Sequence, residues 1–382
     1  MVRTLPPGLL YDQLSNGSEH QLIDTRPAEV FEAWHIPGAV NLPFGPDEDL
    51  DAVDVEAVLP EEEIDIMTIC GKGISSYAFA ESVNEQTGRE VAVIQDGMEG
   101  WSRLYDVIAI PTAAPDVEIY QFQRIAKGCL SYLICSVDSH EAAVIDPTRH
   151  GEEYQMVADD DGMTITHVID THIHADHISG GRDLADELDV PYHLPASAID
   201  RDVSISFEPL AHTEVLSLGD VDIKAIHTPG HTTDATSLLI DGEAVLTNDT
   251  LFVDGVGRTE LQYGDGEATT GAKSLYTSIH RSLLTLPELV TVLPGHQRVA
   301  GGEALMVDAG TPISATIERL RTELPLLGID ESTFVDRVTT GLPAKPDHYE
   351  EIIAINGGED PEIETEPREL ELGPNQCAAA AD

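Results

Sequence analysis

A dense group of side chains that bind metals lies in one short segment of this sequence. Residues 171–177 read THIHADH, which places three histidines and one aspartate close together: His172, His174, Asp176 and His177. Imidazole and carboxylate groups are the ligands that suit zinc and non-haem iron in proteins. Surface histidines used only for hydrogen bonding would not be expected at this density. The segment therefore predicts a metal centre, placed where an apolar, strand-like run over 164–169 ends.

Three further residues of the ligand type stand at the ends of other apolar segments. They are His231 in TPGHT, Asp249 in TND and His296 in LPGH. Because loops at one edge of packed sheets can converge, we expect these residues to join the same centre. His227 lies four residues before His231, but a Pro-Gly turn directly precedes His231, so we interpret His227 as a residue that binds no metal.

Cys70 opens a second candidate site, the loop CGKGISS between an apolar strand-like run and a helical segment. Its glycines allow several backbone N–H groups to point inward, and the following helix adds the positive end of its dipole. A thiol in such a loop is favoured as the thiolate, which suits a nucleophile or a persulfide carrier. Lys72 adds a positive charge to the loop. The loop alone is equally compatible with a buried structural cysteine at the end of a strand.

The elements that must position these residues change in character along the chain. Over about the first 108 residues, short apolar strands alternate with helices, a pattern typical of a parallel sheet with helices on both faces. Beyond residue 118 the strand signals become denser. We therefore expect a first domain over 1–109, a linker over 110–117, a second domain over 118–300, a helical extension over 301–356 and an acidic disordered tail over 357–382.

The charge balance is extreme. The 382 residues include 70 acidic and 20 basic side chains, and the formal net charge is −50. Such a surface repels itself in dilute buffer, whereas at molar salt the Debye length falls to about 3 Å and the repulsion is screened. Since the acidic residues are spread along the whole chain, they predict a halophilic protein; a basic partner would favour a single acidic block. No basic track is available to bind nucleic acid.

Several features indicate the compartment in which such a protein would reside. No apolar run reaches the roughly 18 residues of a membrane span, and the N-terminus lacks the apolar core of a secretion signal. The four cysteines, Cys70, Cys129, Cys135 and Cys377, form no CxxC pair. We therefore expect a cytoplasmic protein in a reducing compartment, with no membrane partner. A homo-oligomer is compatible with the sequence.

Four segments of the first 108 residues resemble, in order, the signatures of a single rhodanese domain. They are LIDTRP at 22–27, WHIPGAVN at 34–41, the loop that begins at Cys70, and QDGMEGW at 95–101. The resemblance implies an α/β domain in which Cys70 carries a sulfane sulfur. Ser75 stands where many rhodaneses have an arginine, and Lys72 is the candidate to supply that charge. An ammonium group does not reproduce the forked geometry of a guanidinium. Two interpretations of the domain are therefore kept: an enzyme that acts on free thiosulfate, or a degenerate domain that serves as a scaffold.

The ordered set of histidines and aspartates resembles the metallo-β-lactamase fold, an αββα sandwich with metals at one edge. Within that fold, three segments resemble the persulfide dioxygenases: DTHIHADHISG at 170–180, GRTELQ at 257–262 and SLYTSIH at 274–280. The resemblance implies one Fe(II) bound by His172, His231 and Asp249, which leaves three coordination positions open. It also implies that four other residues line the pocket where related proteins hold a second metal: His174, Asp176, His177 and His296.

Two departures from that family's pattern lie near the expected metal. Asn248 stands where glycine is usual before the aspartate, and its side chain could re-aim Asp249. Glu260 and Leu261 stand where Asp and Phe are usual, so the acidic and apolar characters are kept. Arg258 is a candidate to bind a substrate carboxylate, and a structural ion pair with the neighbouring acid is the alternative.

Together the two resemblances imply an iron-dependent persulfide dioxygenase that carries a rhodanese-type sulfurtransferase domain. Its partners would be a small thiol persulfide, dioxygen, and sulfite or thiosulfate, with sulfur passing through Cys70. Two alternatives remain open. A dinuclear zinc hydrolase resembling glyoxalase II would bind two Zn(II) ions per chain with all seven ligands and a bridging hydroxide. A non-catalytic sulfur carrier or scaffold would use both domains only for binding.

Overall fold

The computed structural model describes residues 2–45, 59–60, 64–201, 203–264, 266–297, 309–342, 344–359, 367–373 and 378–379. Within these ranges the strands form one sheet of five strands, one of seven and one of six. The first sheet comes from the N-terminal part of the chain, and the other two come from the part that follows. In the described ranges, no helix is both long and apolar enough to cross a membrane.

The N-terminal sheet is parallel throughout. Its strands are β1 (Arg3–Leu5), β2 (His20–Asp24), β3 (Val40–Asn41), β4 (Asp65–Ile69) and β5 (Val91–Ile94), in the spatial order β1-β5-β4-β2-β3. The connecting helices are α1 (Pro7–Ser15), α2 (Ala28–Ala33), α3 (Ile74–Thr87) and α4 (Gly97–Trp101). In β5, Val93 shares an apolar cluster with Phe79 of α3. The next residue, Ile94, shares a different cluster with Leu10 of α1, so helices cover both faces of the sheet.

Two further sheets pack face to face in the second part of the chain. The seven-stranded sheet contains β6 (Tyr105–Ile110), β7 (Val117–Arg124), β8 (Leu130–Ser136), β9 (Glu141–Ile145), β10 (Thr164–Ile169), β11 (Tyr192–Pro195) and β12 (Glu208–Leu210). The six-stranded sheet contains β13 (Val215–Leu218), β14 (Val221–His227), β15 (Thr236–Ile240), β16 (Ala244–Asn248), β17 (Thr291–Pro294) and β18 (Ala315–Thr316). Ile134 of the first sheet and Ile223 of the second lie in one buried cluster, which forms the core between them.

Helices cover the two outer faces of this pair of sheets. They are α5 (Gly151–Asp160), α6 (Gly181–Leu188), α7 (Glu260–Tyr263), α8 (Ala268–Arg281), α9 (Ile317–Glu323), α10 (Glu331–Thr339), α11 (Tyr349–Asn356) and α12 (Pro367–Leu370). Three short 3₁₀ helices span Ala196–Arg201, Leu283–Thr285 and Pro325–Gly328. Tyr154 and Leu184 cover the seven-stranded sheet, whereas Leu275 and Phe334 cover the other. The architecture is the expected αββα sandwich joined to a parallel α/β domain.

The structure differs from the predicted linker over 110–117. Strand β6 pairs with β7 from Tyr105 to Ile110, so residues 111–116 connect two antiparallel strands of one sheet. The chain leaves the N-terminal domain earlier, in the short segment between Trp101 and Tyr105. The proline-rich composition that suggested a linker equally marks a tight connection between strands, and composition alone does not distinguish the two.

The two domains meet at the turn over 125–129, between β7 and β8. Ile125 and Ala126 pack into the apolar cluster of the N-terminal domain. The Trp34 indole donates a hydrogen bond of 3.2 Å to the carbonyl of Ala126. The guanidinium of Arg124 donates one of 2.7 Å to the carbonyl of Ser102. The N-terminal domain is therefore packed directly against the sandwich.

The expectation of a disordered tail over 357–382 does not hold for its described parts. Glu371 is buried, and its carboxylate lies 3.2 Å from Arg124 and 2.7 Å from Arg149. Ala378 forms a β-bridge with Gly257. The acidic composition suggested solvated residues, whereas Glu371 finds its counter-ions in the second domain, which a local pattern does not reveal. Cys377 lies outside the described residues.

Candidate metal centre and cysteine loop

Three predicted ligands come together as one buried group. His172 follows β10, His231 lies in the loop between β14 and β15, and Asp249 follows β16. One potential ligand atom from each residue lies within 4.8 Å of the other two. All three side chains are buried. The three loops therefore converge on one place, as expected from the sequence.

Hydrogen bonds orient this trio and leave ligand atoms unsatisfied. His231 Nδ1 donates to the carbonyl of Arg258 at 2.6 Å, which leaves Nε2 as the nitrogen with a lone pair. That nitrogen lies 3.5 Å from Asp249 Oδ2. Within the described part of the chain, His172 Nε2 and Asp249 Oδ2 accept or donate no hydrogen bond. Because buried polar atoms without partners are costly, the donor set fits a bound metal ion with open positions.

The protonation states also suit metal binding. Burial, together with the neighbouring His174 and His231, holds the pKa of His172 well below its usual range. Burial acts to raise the pKa of Asp249, but the charge of His296 outweighs it and the pKa is lowered. A neutral imidazole and an ionised carboxylate are the forms that donate electron pairs to a metal.

Asn248 occupies a backbone position that explains why glycine is usual there. Its φ is 42°, in the left-handed region that asparagine tolerates better than most residues. The side chain donates to the carbonyl of Thr236 at 2.9 Å and accepts from Thr250 N at 3.0 Å. These bonds direct the amide toward β15 and the following turn. The side chain therefore stabilises the turn that presents Asp249.

Two glycines allow the loops to approach Asp249. A Cβ at Gly257 would lie 2.0 Å from the backbone carbonyl oxygen of Asp249. A Cβ at Gly295 would lie 2.7 Å from Asp249 Oδ1. A side chain at Gly257 would displace the Asp249 backbone, and one at Gly295 would displace its carboxylate.

A second buried group contains three predicted residues and one that sequence reasoning missed. Asp176 Oδ2 lies 3.0 Å from His177 Nδ1 and 2.9 Å from His296 Nε2. The additional member is Cys129, whose Sγ lies 3.2 Å from the same oxygen. Cys129 directly precedes β8, at the edge where the loops converge, and that position was the only sequence signal available.

Charge holds this second group together. Burial acts to lower the pKa of His177, but the negative charge of Asp176 raises it to about 9. Burial acts to raise the pKa of Asp176, but His177 and His296 hold it well below its usual range. His296 joins the two groups, because its Nδ1 lies 2.5 Å from Asp249 Oδ1.

The His174 ring packs against His172 and His177, with centroids 4.2 Å and 4.3 Å away, but its Nε2 faces two carboxylates of its own. Its Nε2 lies 3.3 Å from Asp146 Oδ1 and 3.6 Å from Asp170 Oδ1. Burial acts to lower the pKa of His174, but the two nearby carboxylates raise it well above the usual range. The structure thus sorts the seven predicted ligands into a trio, a second group and this histidine.

The C-terminal extension supports the histidine segment from outside. Asn356 Nδ2 donates to the carbonyls of His174 at 3.0 Å and His177 at 2.9 Å. Asn356 Oδ1 accepts from Ser179 N at 2.9 Å, and Glu371 accepts from Ile178 N at 3.0 Å. Sequence reasoning missed both Asn356 and Glu371, because their partners lie far away along the chain.

Cys70 directly follows β4 and begins a loop that stabilises its thiolate. Gly73 N donates to Cys70 Sγ at 3.1 Å, and Ser76 Oγ lies 3.3 Å from the sulfur. Burial acts to raise the pKa of this thiol, but hydrogen bonds from Ser75, Ser76 and the backbone lower it. The loop therefore has the electrostatic character that its sequence predicted.

Lys72 and Arg258, the two predicted substrate-binding cations, both contact acidic residues. Lys72 Nζ lies 3.4 Å from Glu99 and also pairs with Glu369 of the C-terminal segment. Arg258 is buried, donates to Glu260 at 2.5 Å and donates to the carbonyl of Ala344 at 3.0 Å. These contacts match the alternative interpretation from the sequence, in which Arg258 forms a structural ion pair with Glu260.

Comparisons with known proteins divide the chain in the same way as the fold. Residues 7–104 match the family described as Rhodanese-like domain, and residues 124–296 match the Metallo-beta-lactamase superfamily. "Probable metallo-hydrolase YqgX" of Bacillus subtilis is 30% identical over 184 residues, which span 44% of this chain and 83% of that protein. "Persulfide dioxygenase ETHE1, mitochondrial" of Mus musculus is 27% identical over 239 residues, spanning 60% of this chain and 84% of that protein.

One solved structure is similar to this chain in both sequence and fold. The crystal structure of ETHE1 from Myxococcus xanthus superposes with a TM-score of 0.54 at 28% identity. The match covers 63% of this chain and 99% of that one. The similarity therefore extends over nearly the full length of the Myxococcus xanthus protein.

Proposed function

Because this chain belongs to the metallo-beta-lactamase superfamily and carries a rhodanese-like domain ahead of that fold, we propose that it is a persulfide dioxygenase coupled to sulfur transfer. The observation that carries the proposal is the buried trio of His172, His231 and Asp249, in which His172 Nε2 and Asp249 Oδ2 have no hydrogen-bond partner among the described residues. Two imidazoles and one carboxylate form the donor set of an open iron site. The similarity to proteins named persulfide dioxygenase supports the same reaction.

In the proposed reaction, a small thiol persulfide, dioxygen and water give the thiol, hydrogensulfite and one proton. The outer sulfur is oxidised and dioxygen is reduced, so no other electron donor is required. Ferrous iron, when bound, would supply adjacent open positions for the persulfide sulfur and dioxygen.

The protein's own residues would hold the reactants and exclude water. Arg258 fixes the orientation of His231 through its backbone carbonyl. Asn248 and Gly295 set the position of Asp249, as described above. The burial of all three side chains would limit the access of bulk water to the ligand atoms.

Cys70 would transfer sulfur in a second step, after its thiolate has taken the outer sulfur of another molecule of the thiol persulfide and released the thiol. When its persulfide reacts with sulfite, a bond forms between the outer sulfur and sulfite, and the sulfur–sulfur bond at Cys70 breaks. The products are thiosulfate and the Cys70 thiolate, which Gly73 N and Ser76 Oγ stabilise. The reverse flow, in which thiosulfate supplies the persulfide, would use the same groups.

The acidic composition supports a salt-rich cytoplasm as the place of this reaction. Among the described cysteines, no disulfide links Cys70, Cys129 or Cys135, which is compatible with a reducing compartment.

Metal analysis and oxygen uptake together test the proposal. Protein purified without oxygen in high salt should contain one iron per chain and consume oxygen when given glutathione persulfide. The contrary result is a protein that contains no iron as purified and, after loading with Fe(II), consumes no oxygen.

The second group of residues supports a different candidate, a dinuclear zinc hydrolase. Cys129, Asp176, His177 and His296 offer four further ligand atoms within 4.8 Å of one another. The Bacillus subtilis relative is named a probable metallo-hydrolase. This candidate requires two zinc ions per chain and hydrolysis of a glutathione thioester, and neither is expected from the first proposal.

A further inference from the structure

A cavity of about 190 Å³ lies between the two domains and the C-terminal segment. Its walls include Ala33 of the N-terminal domain, Lys127 and Asp176 of the second domain, and Lys345, Asp347, Leu370 and Gly373 from the C-terminal part of the chain, so two lysines and two aspartates line it. Because Asp176 also belongs to the second ligand group, the cavity reaches the edge of the candidate metal centre.

Lys127 is a buried cation on the wall of this cavity. It lies in the turn between the two domains and is only 4% exposed. Its ammonium donates one hydrogen bond, of 3.0 Å, to the carbonyl of Gly373. Among the residues that the structure describes, no carboxylate lies within ion-pair distance of Lys127.

The other buried cations behave differently. In the described ranges, the buried lysines and arginines are Arg26, Arg124, Lys127 and Arg258. Arg26 pairs with Asp24, Arg124 with Glu371, and Arg258 with Glu260. Burying a charge is unfavourable unless it is paired, and one carbonyl uses only one of the three donors of an ammonium. Among the described residues, Lys127 thus has no counter-ion, whereas each of the other three has one.

We propose that this cavity is a binding site for a small oxyanion, with Lys127 as its counter-charge. An anion would complete the pairing of the ammonium and accept its remaining hydrogen bonds. A water molecule takes up about 30 Å³ in the liquid, so the cavity has room for a small oxyanion with a few waters. A carboxylate of the substrate thiol and the product sulfite both have the required chemistry.

The position of the cavity favours sulfite. One wall, at Ala33, belongs to the sulfur-carrier domain, and another, at Asp176, belongs to the metal centre. Leu370 adjoins Glu369, which pairs with Lys72 in the Cys70 loop. An anion held by Lys127 therefore lies between the two candidate centres. The choice of sulfite rests on the proposed function, whereas the anion site itself does not.

Calorimetric titration of the metal-loaded, full-length protein tests the site. Sulfite and glutathione are titrated separately at one fixed chloride concentration into wild type, Lys127→Met and Lys224→Met. Lys224 is an exposed residue of β14 and serves as the matched control for loss of one positive charge. The affinity for sulfite should fall roughly tenfold or more in Lys127→Met and stay unchanged in Lys224→Met.

The glutathione titration distinguishes the two sources of the anion. If only the affinity for glutathione falls in Lys127→Met, the site takes the carboxylate of the thiol, and the oxyanion site stands. If a folded Lys127→Met variant binds both ligands as tightly as wild type, the proposal is overturned.

A second pair of variants leaves Lys127 in place. Ala33 is an exposed residue at the end of α2, so its replacement should not disturb folding. Ala33→Asp would place a competing carboxylate at the cavity and should weaken sulfite binding, whereas Ala33→Asn should not. If the two variants bind sulfite equally and also bind glutathione equally, the proposal is overturned as well. Oxygen uptake measured in parallel separates this result from failure of the proposed function, because sulfite binding requires no turnover.

Discussion

The two oxygens of Asp249 have different neighbours, and this asymmetry determines what its removal should do. Oδ1 lies 2.5 Å from His296 Nδ1, whereas Oδ2 faces His231 at 3.5 Å. Within the described residues, Oδ2 makes no hydrogen bond, so it is the oxygen available to a metal. His296 contacts Asp249 through Oδ1, not through the oxygen available to a metal, and is therefore expected to have a weaker effect on the metal.

We predict that Asp249→Ala abolishes both iron binding and oxygen uptake. The substitution removes the only negative charge of the trio, and two neutral imidazoles alone bind Fe(II) poorly. His296→Ala provides the comparison and should retain iron with reduced activity. Iron content is measured on protein purified without oxygen, alongside oxygen uptake. Full activity in an iron-free Asp249→Ala variant would contradict the assignment, and complete metal loss in His296→Ala would favour the dinuclear alternative.

The pH dependence of Cys70 follows from its hydrogen bonds. We predict that Ser76→Ala raises the pKa of Cys70, since a bond of 3.3 Å to the sulfur is lost. The thiolate reacts with iodoacetamide, and its population falls as the pH drops through the pKa. The rate of Cys70 alkylation should therefore decline at higher pH in the variant than in wild type. The Cys70→Ser variant gives the rate of alkylation at the other cysteines, which is subtracted. Identical pH profiles for wild type and Ser76→Ala would show that Ser76 does not lower the pKa of Cys70.

At the scale of elements, the C-terminal segment supports a site that belongs to another part of the chain. Asn356 and Glu371 together accept or donate four hydrogen bonds with residues 174–179. Both lie beyond the residues that match the superfamily. The segment thus acts on the ligands by positioning their backbone.

Glu371→Gln should destabilise the protein and weaken its metal binding. The substitution leaves Arg124 and Arg149 without their counter-ion, and breaking a buried pair costs about 3–5 kcal/mol. Glu369→Gln, two residues earlier and paired with a half-exposed Lys72, is the matched control and should change little. Thermal unfolding and titration with Fe(II) provide the two measurements. If both variants unfold and bind iron alike, Glu371 does not support the site.

The pKa of Glu371 gives this prediction a pH dependence. Burial acts to raise it, but Arg124 and Arg149 lower it to about 2. An unfolded glutamate titrates near 4.3, so the stabilisation is complete above that pH and is lost as the pH falls toward about 2. The stability difference between wild type and Glu371→Gln should therefore shrink in that acidic range.

The sequence predicted best where the signal was local. Local motifs carried the resemblances to a rhodanese domain and to the metallo-β-lactamase fold, and those resemblances predicted both folds and placed His172 with His231 and Asp249. Local patterns did not reveal Cys129 or the pairing of His174 with Asp146, because both depend on which loops meet in three dimensions. The predicted linker was misplaced for a related reason, since proline marks a turn without indicating what the turn connects.

At the scale of the whole molecule, the net charge of −50 should make the fold depend on salt. Lowering the salt from about 1 M to 0.1 M lengthens the Debye length from about 3 Å to about 10 Å, so more like charges repel one another. We predict that the melting temperature falls on the order of 10 °C over this range, given shifts of about 2–4 °C per kcal/mol for domains of this size. The melting temperature is measured over a series of KCl concentrations, because sulfate salts would also strengthen the burial of apolar groups. A melting temperature that is indifferent to KCl would indicate an acidic binding surface instead.

The union of the two domains in one chain leads to the last prediction. In the proposed scheme, the metal centre releases sulfite, and the persulfide of Cys70 donates its outer sulfur to that sulfite. The domains pack together through the turn over 125–129, and this packing keeps the product of one centre close to the other. Cys70→Ser should therefore leave oxygen uptake intact while the end product changes from thiosulfate to sulfite. Cys135→Ser is the control, because Cys135 is buried in the sandwich and burial raises its pKa to about 12, so it should form thiosulfate as wild type does. If Cys70→Ser still makes thiosulfate at the wild-type rate, sulfur does not pass through this cysteine, and the N-terminal domain acts as a scaffold.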